Sequence, residues 1–245
     1  MLLSQTNAGY TFPTANRVVH LDAGDSSSYS GSGTTWSDLT SNNNDFTLSS
    51  GATYDSGNSG SIDFDGGDNS QADRGSELTF NKTSNTMMFW VKQDQNNLRG
   101  LVNRYASNSY NSFISFADRP SRAETDTNCN NFTFEESMSS NNNIGSTVSS
   151  NWSCWTIRTN ADQSADWFLN GTRRVPVSSW GSINCDGANP ASNFHGNLSW
   201  RYLGTATTYE GRFDGKLAMI CQWSVALTDH QIQAAFGSYR SRFGI

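Results

Sequence analysis

The 245-residue chain lacks most of the features that announce a function. No apolar run approaches the ~20 residues that a membrane-spanning helix needs. The amino terminus, MLLSQTNAGYTFPTANR, has neither the cationic start nor the apolar stretch of a secretory leader. Together with Met1, this makes a protein built and kept inside a cell the expectation. Charged residues are only 16% of the chain and sum to a net charge of -6, and no basic run exceeds Arg173-Arg174. Nucleic-acid binding, which works through a basic footprint, is therefore not expected. There is no Cys-x-x-Cys, no Gly-x-Ser-x-Gly and no Gly-x-x-x-x-Gly-Lys, so zinc ribbons, serine-hydrolase elbows and phosphate loops are not indicated. His20, His195 and His230 stand far apart without partner motifs and read as surface or capping residues.

What the chain does have is aromatic mass and polar turns. It holds 8 Trp, 8 Tyr and 14 Phe, ample for a core, among many Ser, Thr, Asn and Gly. Short strand signals alternate with turns: Val18 to Leu21, Phe46 to Leu48, Ser61 to Asp65, and the most apolar run, Thr86 to Lys92. Gly100 to Tyr105 and Asn111 to Phe116 read as a hairpin, with a further short strand at Phe132 to Phe134. Trp152 to Arg158, Ala165 to Leu169 and Thr172 to Val175 follow, the last two joined by Asn170-Gly171, a type I′ turn signal. Leu198 to Leu203 and Gly215 to Trp223 complete the strands. Thr228 with Gln231 three residues on predicts a capped helix carrying Ile232, Ala235, Phe236, Tyr239 and Phe243, closing one end or edge of the sheets. There is no repeat and no second composition class, so one domain over residues 18–245 with an amino-terminal arm over 1–17 is expected, in an all-β sandwich or jelly roll.

Of the four cysteines, Cys154 and Cys221 sit in apolar strands and read as buried thiols, while Cys129 and Cys185 lie in Asn-rich loops where a disulfide stays open. Asn81, Asn131, Asn151, Asn170 and Asn197 head glycosylation sequons, a number that chance supplies in so polar a chain.

Three segments in order carry a family resemblance: SIDFDG at Ser61 to Gly66 with the strand ending Phe89-Trp90-Val91-Lys92; NWSCWTIRTNADQSADWFLNG from Asn151 to Gly171; and Phe213 to Trp223 followed by Ala226-Leu227-Thr228-Asp229. Together they resemble the concanavalin A-like, laminin G-like superfamily. The resemblance implies a jelly roll of two antiparallel sheets with a short C-terminal helix. The opening LDAG…GSGTTWSDL and the closing SYRSRFGI look like members found in bacteriophage structural proteins. That likeness implies a non-enzymatic virion component, such as a capsid decoration, fibre or knob, assembled in the host cytoplasm as a homo-oligomer. Its arm would contact other virion proteins and its surface would meet host glycans. A free carbohydrate-binding module or lectin is the alternative, and a glycosidase the second alternative. Glycosidases of this fold need paired carboxylates on one strand. Here the nearest pattern, Glu124-Thr125-Asp126, has Cys129 in place of a third carboxylate, and Glu135-Glu136 would point to opposite faces of a strand. Trp36, Tyr105, Tyr110, Trp180 and Tyr209 lie in or beside loops, where a ring could stack on a sugar or a partner, whereas Trp90, Trp155 and Trp167 read as core. Family members often hold a calcium ion at a loop edge. Its candidate ligands here are Asp22, Asp65, Asp68 and Asp214, each with a structural turn as the competing reading. No cofactor is required by any of these readings.

Overall fold

A computed structural model describes residues 11–81, 83–93, 99–103, 112–117, 132–135, 151–161, 165–174, 198–204 and 211–245. In chain order the strands are β1 (Arg17–Asp22), β2 (Thr35–Trp36), β3 (Phe46–Leu48), β4 (Ala52–Asp55), β5 (Ser61–Asp65), β6 (Ala72–Phe80), β7 (Asn85–Gln93) and β8 (Arg99–Asn103). They continue with β9 (Ser112–Ala117), β10 (Phe132–Glu135), β11 (Ser153–Thr159), β12 (Ala165–Leu169), β13 (Thr172–Arg174), β14 (Leu198–Leu203), β15 (Gly211–Arg212) and β16 (Asp214–Trp223). One α-helix, α1 (Asp229–Tyr239), follows.

Two sheets form. The first has the order β13-β12-β11-β7-β16-β5-β4, with β1 also on β16. The second has the order β10-β9-β8-β14-β6-β3-β2, with β15 also on β8. Pairing is antiparallel except for β9 with β10 and β8 with β15. The ten-residue β16 is the spine of the first sheet. β7 runs along one side of it, while β5 and β1 share the other side, at Asp214 to Leu217 and Met219 to Trp223 respectively. The sandwich and the short C-terminal helix are thus as expected.

β7 shows why its run is so apolar. Met87, Phe89 and Val91 point between the sheets, whereas Met88 and Trp90 point to the other side, where α1 lies. A strand covered on both faces has no polar side to alternate with. The cover also corrects one expectation: α1 does not close an end or edge but packs across the outer face of the first sheet. Ile232 and Ala235 meet Met88, Cys154, Ala218 and Cys221 there. Trp90 is stacked between Phe236 and Phe243, with ring centroids 5.5 Å and 4.3 Å away. Loss of so large a buried ring costs about 3–5 kcal/mol. No helix among the described residues is long and apolar enough to cross a membrane.

Local signals operate where the sequence placed them. Thr228 accepts from the Gln231 backbone N–H while the Gln231 side chain accepts from Thr228 N–H, a complete capping box. Asn170 and Gly171 have φ of 51° and 72°, the positive values that a type I′ turn demands, and Asn170 Oδ1 also accepts from Cys154 N–H. Four strands, β2, β4, β6 and β15, are additions to those the sequence signals predict. Cys154 and Cys221 are buried free thiols, as their strand positions suggested; Cys129 and Cys185 lie outside the described residues.

Candidate functional site

The helix covers one broad face of the molecule and leaves its counterpart, the outer face of the second sheet, without cover among the described residues. Backbone register builds a continuous row across this face. Thr35 pairs with Thr47, Thr47 with Asp73, Asp73 with Tyr202, and Tyr202 with Asn103. The neighbouring row, Leu48, Ala72, Leu203 and Val102, faces the core and is buried. Alternation along each strand therefore separates an apolar inner row from a polar outer one.

The centre of the outer row is a short polar cluster. Arg201 Nε and Nη2 donate to the two carboxylate oxygens of Asp73 at 2.6 and 2.8 Å, a bidentate fork. Gly75 N–H also donates to Asp73 Oδ1 at 2.7 Å. Partial burial opposes ionisation of Asp73, but Arg201 and the Gly75 N–H outweigh it and hold the carboxyl below its ordinary value. The Arg201 guanidinium lies 4.9 Å from the centroid of the half-buried Tyr202 ring. Alongside, Arg74 is fixed by Nε and Nη2 donating to Asn44 Oδ1, and Asn44 Nδ2 donates in turn to Val18 O. Among the described residues, Arg201 Nη1, the Tyr202 hydroxyl and the Thr35 and Thr47 hydroxyls make no hydrogen bond. The face thus offers fixed donors and acceptors around one ring.

Among the described residues, Asp55, Asp73 and Asp166 are each held below the ordinary carboxylate value by cationic or amide partners.

The residues singled out in the sequence fall elsewhere. Trp36 is not a loop anchor open to ligand: it is wholly buried in the core, where β2 pairs it with Phe46. Tyr105, Tyr110, Trp180 and Tyr209 lie outside the described residues, as do Glu124, Asp126, Glu136 and His195. Glu135 ends β10. Trp90 and Trp155 are core as expected. His20, read as a surface residue, is buried, whereas His230 is exposed on α1.

The four carboxylates expected as calcium ligands do not converge. Asp65 and Asp214 are register partners on β5 and β16. Asp65 accepts from Gly67 N–H, and Asp68 is ion-paired with Arg212. Asp22 is remote: it pairs with Met219, five residues further along β16, or roughly 16 Å at strand rise. It is also buried and engaged by Arg242 Nη1 at 2.6 Å and Gly24 N–H at 2.8 Å. Among the described residues no group of three His, Cys, Asp or Glu is placed to hold a metal.

No protein-family model matches the chain, and no curated protein is similar to it in sequence. Solved structures do share its fold. The binding domain of Paraclostridial Mosquitocidal Protein 1 superposes with a TM-score of 0.53 at 18% identity, covering 91% of this chain and 52% of that one. Domain 4 of AbnA, a GH43 extracellular arabinanase from Geobacillus stearothermophilus solved with arabinotriose, gives 0.52 at 12% identity, over 90% of this chain and 98% of that domain. Trypanosoma rangeli sialidase in complex with sialic acid gives 0.56 at 12% identity, over 97% of this chain but 35% of that one. The chain thus spans about half the length of the first of these proteins and a third of the sialidase. At such identities the likeness is one of fold, the β-sandwich.

Proposed function

We propose that the chain is a non-catalytic carbohydrate-binding module of the concanavalin A-like kind, and that it meets its ligand with the open face of the second sheet. The observation that carries this reading is the outer row itself. A half-buried Tyr202 ring lies beside the Arg201–Asp73 fork, in a row that runs on through Thr47 and Thr35, on a broad face that nothing described covers. Sugars present both hydroxyls and an apolar ring face, so a fixed array of hydrogen-bonding groups beside an aromatic ring is complementary to them. The AbnA domain, matched over nearly its whole length and solved with arabinotriose, supports saccharides as the ligand class.

The experiment is a glycan screen with the intact chain, followed by calorimetry on hits with Tyr202→Ala and Arg201→Ala. Binding weakened at least tenfold by either change, with thermal stability retained, is expected; about 1.4 kcal/mol corresponds to that loss. Retention of full affinity in both variants would move the site off this face, and a screen without hits would remove the saccharide reading.

A bacteriophage setting is a separate proposal about location, resting on the two chain ends alone. Its check is co-sedimentation of the native protein with intact particles.

A further inference from the structure

We infer that residues 11–16 form a strap that releases from the body of the domain in mild acid, and that His20 is the group whose protonation releases it. This stands independently of the carbohydrate reading.

The strap is tied down at one aromatic site. Asn16, with φ of 61°, turns the chain immediately before β1, so the preceding residues lie back against the domain. The Phe12 ring stacks on the His20 ring, centroids 5.1 Å apart and planes at 28°, and also contacts Tyr239 at 5.3 Å and Trp223 at 5.5 Å. Trp223 Nε1 donates to Pro13 O at 2.9 Å, and Ser224 N–H donates to Asn16 O at 2.9 Å. Arg17 joins strap to histidine: its Nε donates to Thr14 O at 3.2 Å, its guanidinium sits 5.9 Å from the Phe12 centroid, and its Nη1 donates to His20 Nδ1 at 2.7 Å.

That last contact fixes the protonation state. A guanidinium has only hydrogens to offer, so Nδ1 must present its lone pair. The imidazole is therefore neutral, with its hydrogen on Nε2, 3.4 Å from the Tyr239 hydroxyl. A proton on Nδ1 would set N–H against N–H and bring two cations together beneath Phe12. The other groups around the ring do not rescue it. Asp22, Asp25 and Asp38 favour the cation, but Asp38 Oδ1 is already used by His20 N–H at 2.8 Å. On α1, burial pushes the Tyr239 hydroxyl up, and on β16 burial pushes the Cys221 thiol up, so both stay neutral. Burial first and Arg17 second prevail, and hold His20 down at about 4 against an ordinary 6.5.

The sign follows from the two states. Strapped, the ring resists the proton down to about pH 4; released, it regains solvent and approaches 6.5. Between these limits only the released state takes the proton, so acid favours release, while above pH 7 the histidine contributes no drive either way. The equilibrium shifts toward release about 30-fold by pH 5 and roughly 300-fold at its limit.

The test is nuclear magnetic resonance on the full chain. Exchange of the Trp223 indole N–H, corrected for intrinsic rate, is expected to accelerate about 20-fold between pH 7 and pH 5 while amides of β11 stay protected. Phe12→Ala is expected to raise the titration of the His20 ring at least tenfold in proton affinity. His20→Gln is expected to keep the indole protected at pH 5. An unchanged His20 titration in Phe12→Ala, or acid release persisting in a folded His20→Gln, would overturn the proposal. Should His20→Gln not fold, the Phe12→Ala titration decides alone.

Discussion

Trp200 and Gln222 reach each other across the space between the sheets: the indole Nε1 donates to the side-chain Oε1 at 2.8 Å, and both residues are wholly buried. Gln222 Nε2 then donates to Thr79 O at 2.7 Å, so one amide satisfies two groups of the facing sheet. Leucine at this position would fill similar space but leave the Trp200 N–H and the Thr79 carbonyl without partners. Each orphaned group costs about 1–3 kcal/mol. Gln222→Leu is therefore expected to lower the unfolding free energy by about 2 kcal/mol or more, read from urea denaturation midpoints.

A second prediction concerns the anchor between α1 and the first sheet. Arg158 donates through Nε and Nη2 to Asp166 Oδ2 and through Nη1 to Asp229 Oδ1 and Leu227 O. Burial opposes ionisation of Asp166, yet Asn160, Arg158 and Arg173 together hold its carboxyl below the ordinary 3.8. A depressed carboxylate contributes stability that is present above its unfolded value and lost as pH falls through the folded one. The wild type should lose stability below about pH 4 for this reason. Arg158→Met leaves Asn160 and Arg173 on the carboxylate but removes the Arg158 fork and its bonds to Asp229 and Leu227 O, and is expected to cost about 1.5–3 kcal/mol at pH 7. With one cation fewer holding the carboxyl down, the same variant should lose less on acidification. Denaturation midpoints at pH 7 and pH 3 check both.

The two described thiols are expected to be inert. Cys154 and Cys221 are wholly buried, and desolvation pushes both thiols up, away from the reactive thiolate. They cannot bridge. Cys154 pairs with Trp90 and Cys221 with Met88 on opposite sides of β7, about 10 Å apart at strand spacing. Alkylation at pH 8 followed by peptide mass spectrometry should find neither modified in the native protein and both modified in denaturant.

Gly204, immediately after β14, has φ of 81°, and its amide donates to Leu101 O at 2.9 Å. A Cβ there would collide with the ring of the buried Phe64. Gly204→Ala combines this overlap with a left-handed backbone that alanine disfavours, so about 2 kcal/mol of destabilisation is expected, measured by thermal unfolding.

Much of the frame was legible because its signals are local. The β7 run, the Asn170-Gly171 turn and the Thr228 capping box each need only a few neighbouring residues. β6 was not legible. Its outer face is open and polar, and Gly75 interrupts it, so ADRGSELTF shows only Ala72, Leu78 and Phe80 turning inward. Tyr202 was hidden by a register shift between Trp200 and Tyr202. Sequence parity puts these two side chains on one face, yet Trp200 is buried and Tyr202 lies half-exposed beside Arg201. His20 was misread because a strand covered on both sides by distant parts of the chain cannot be recognised from its own six residues. Trp36 was misread because a two-residue strand carries no periodicity.

The position of β16 bears on how the protein is made. The first strand of the domain, β1, pairs with β16 and with no other strand among the described residues. During synthesis β1 emerges early and must wait for nearly the whole domain to follow before its edge is satisfied, and β7 and β5 wait with it. A nascent chain stalled between Gln93 and Asp214 therefore exposes three strand edges that await β16. Such a chain invites pairing with its neighbours on the same message, so completion of this fold is an event at the ribosome's exit rather than along the way.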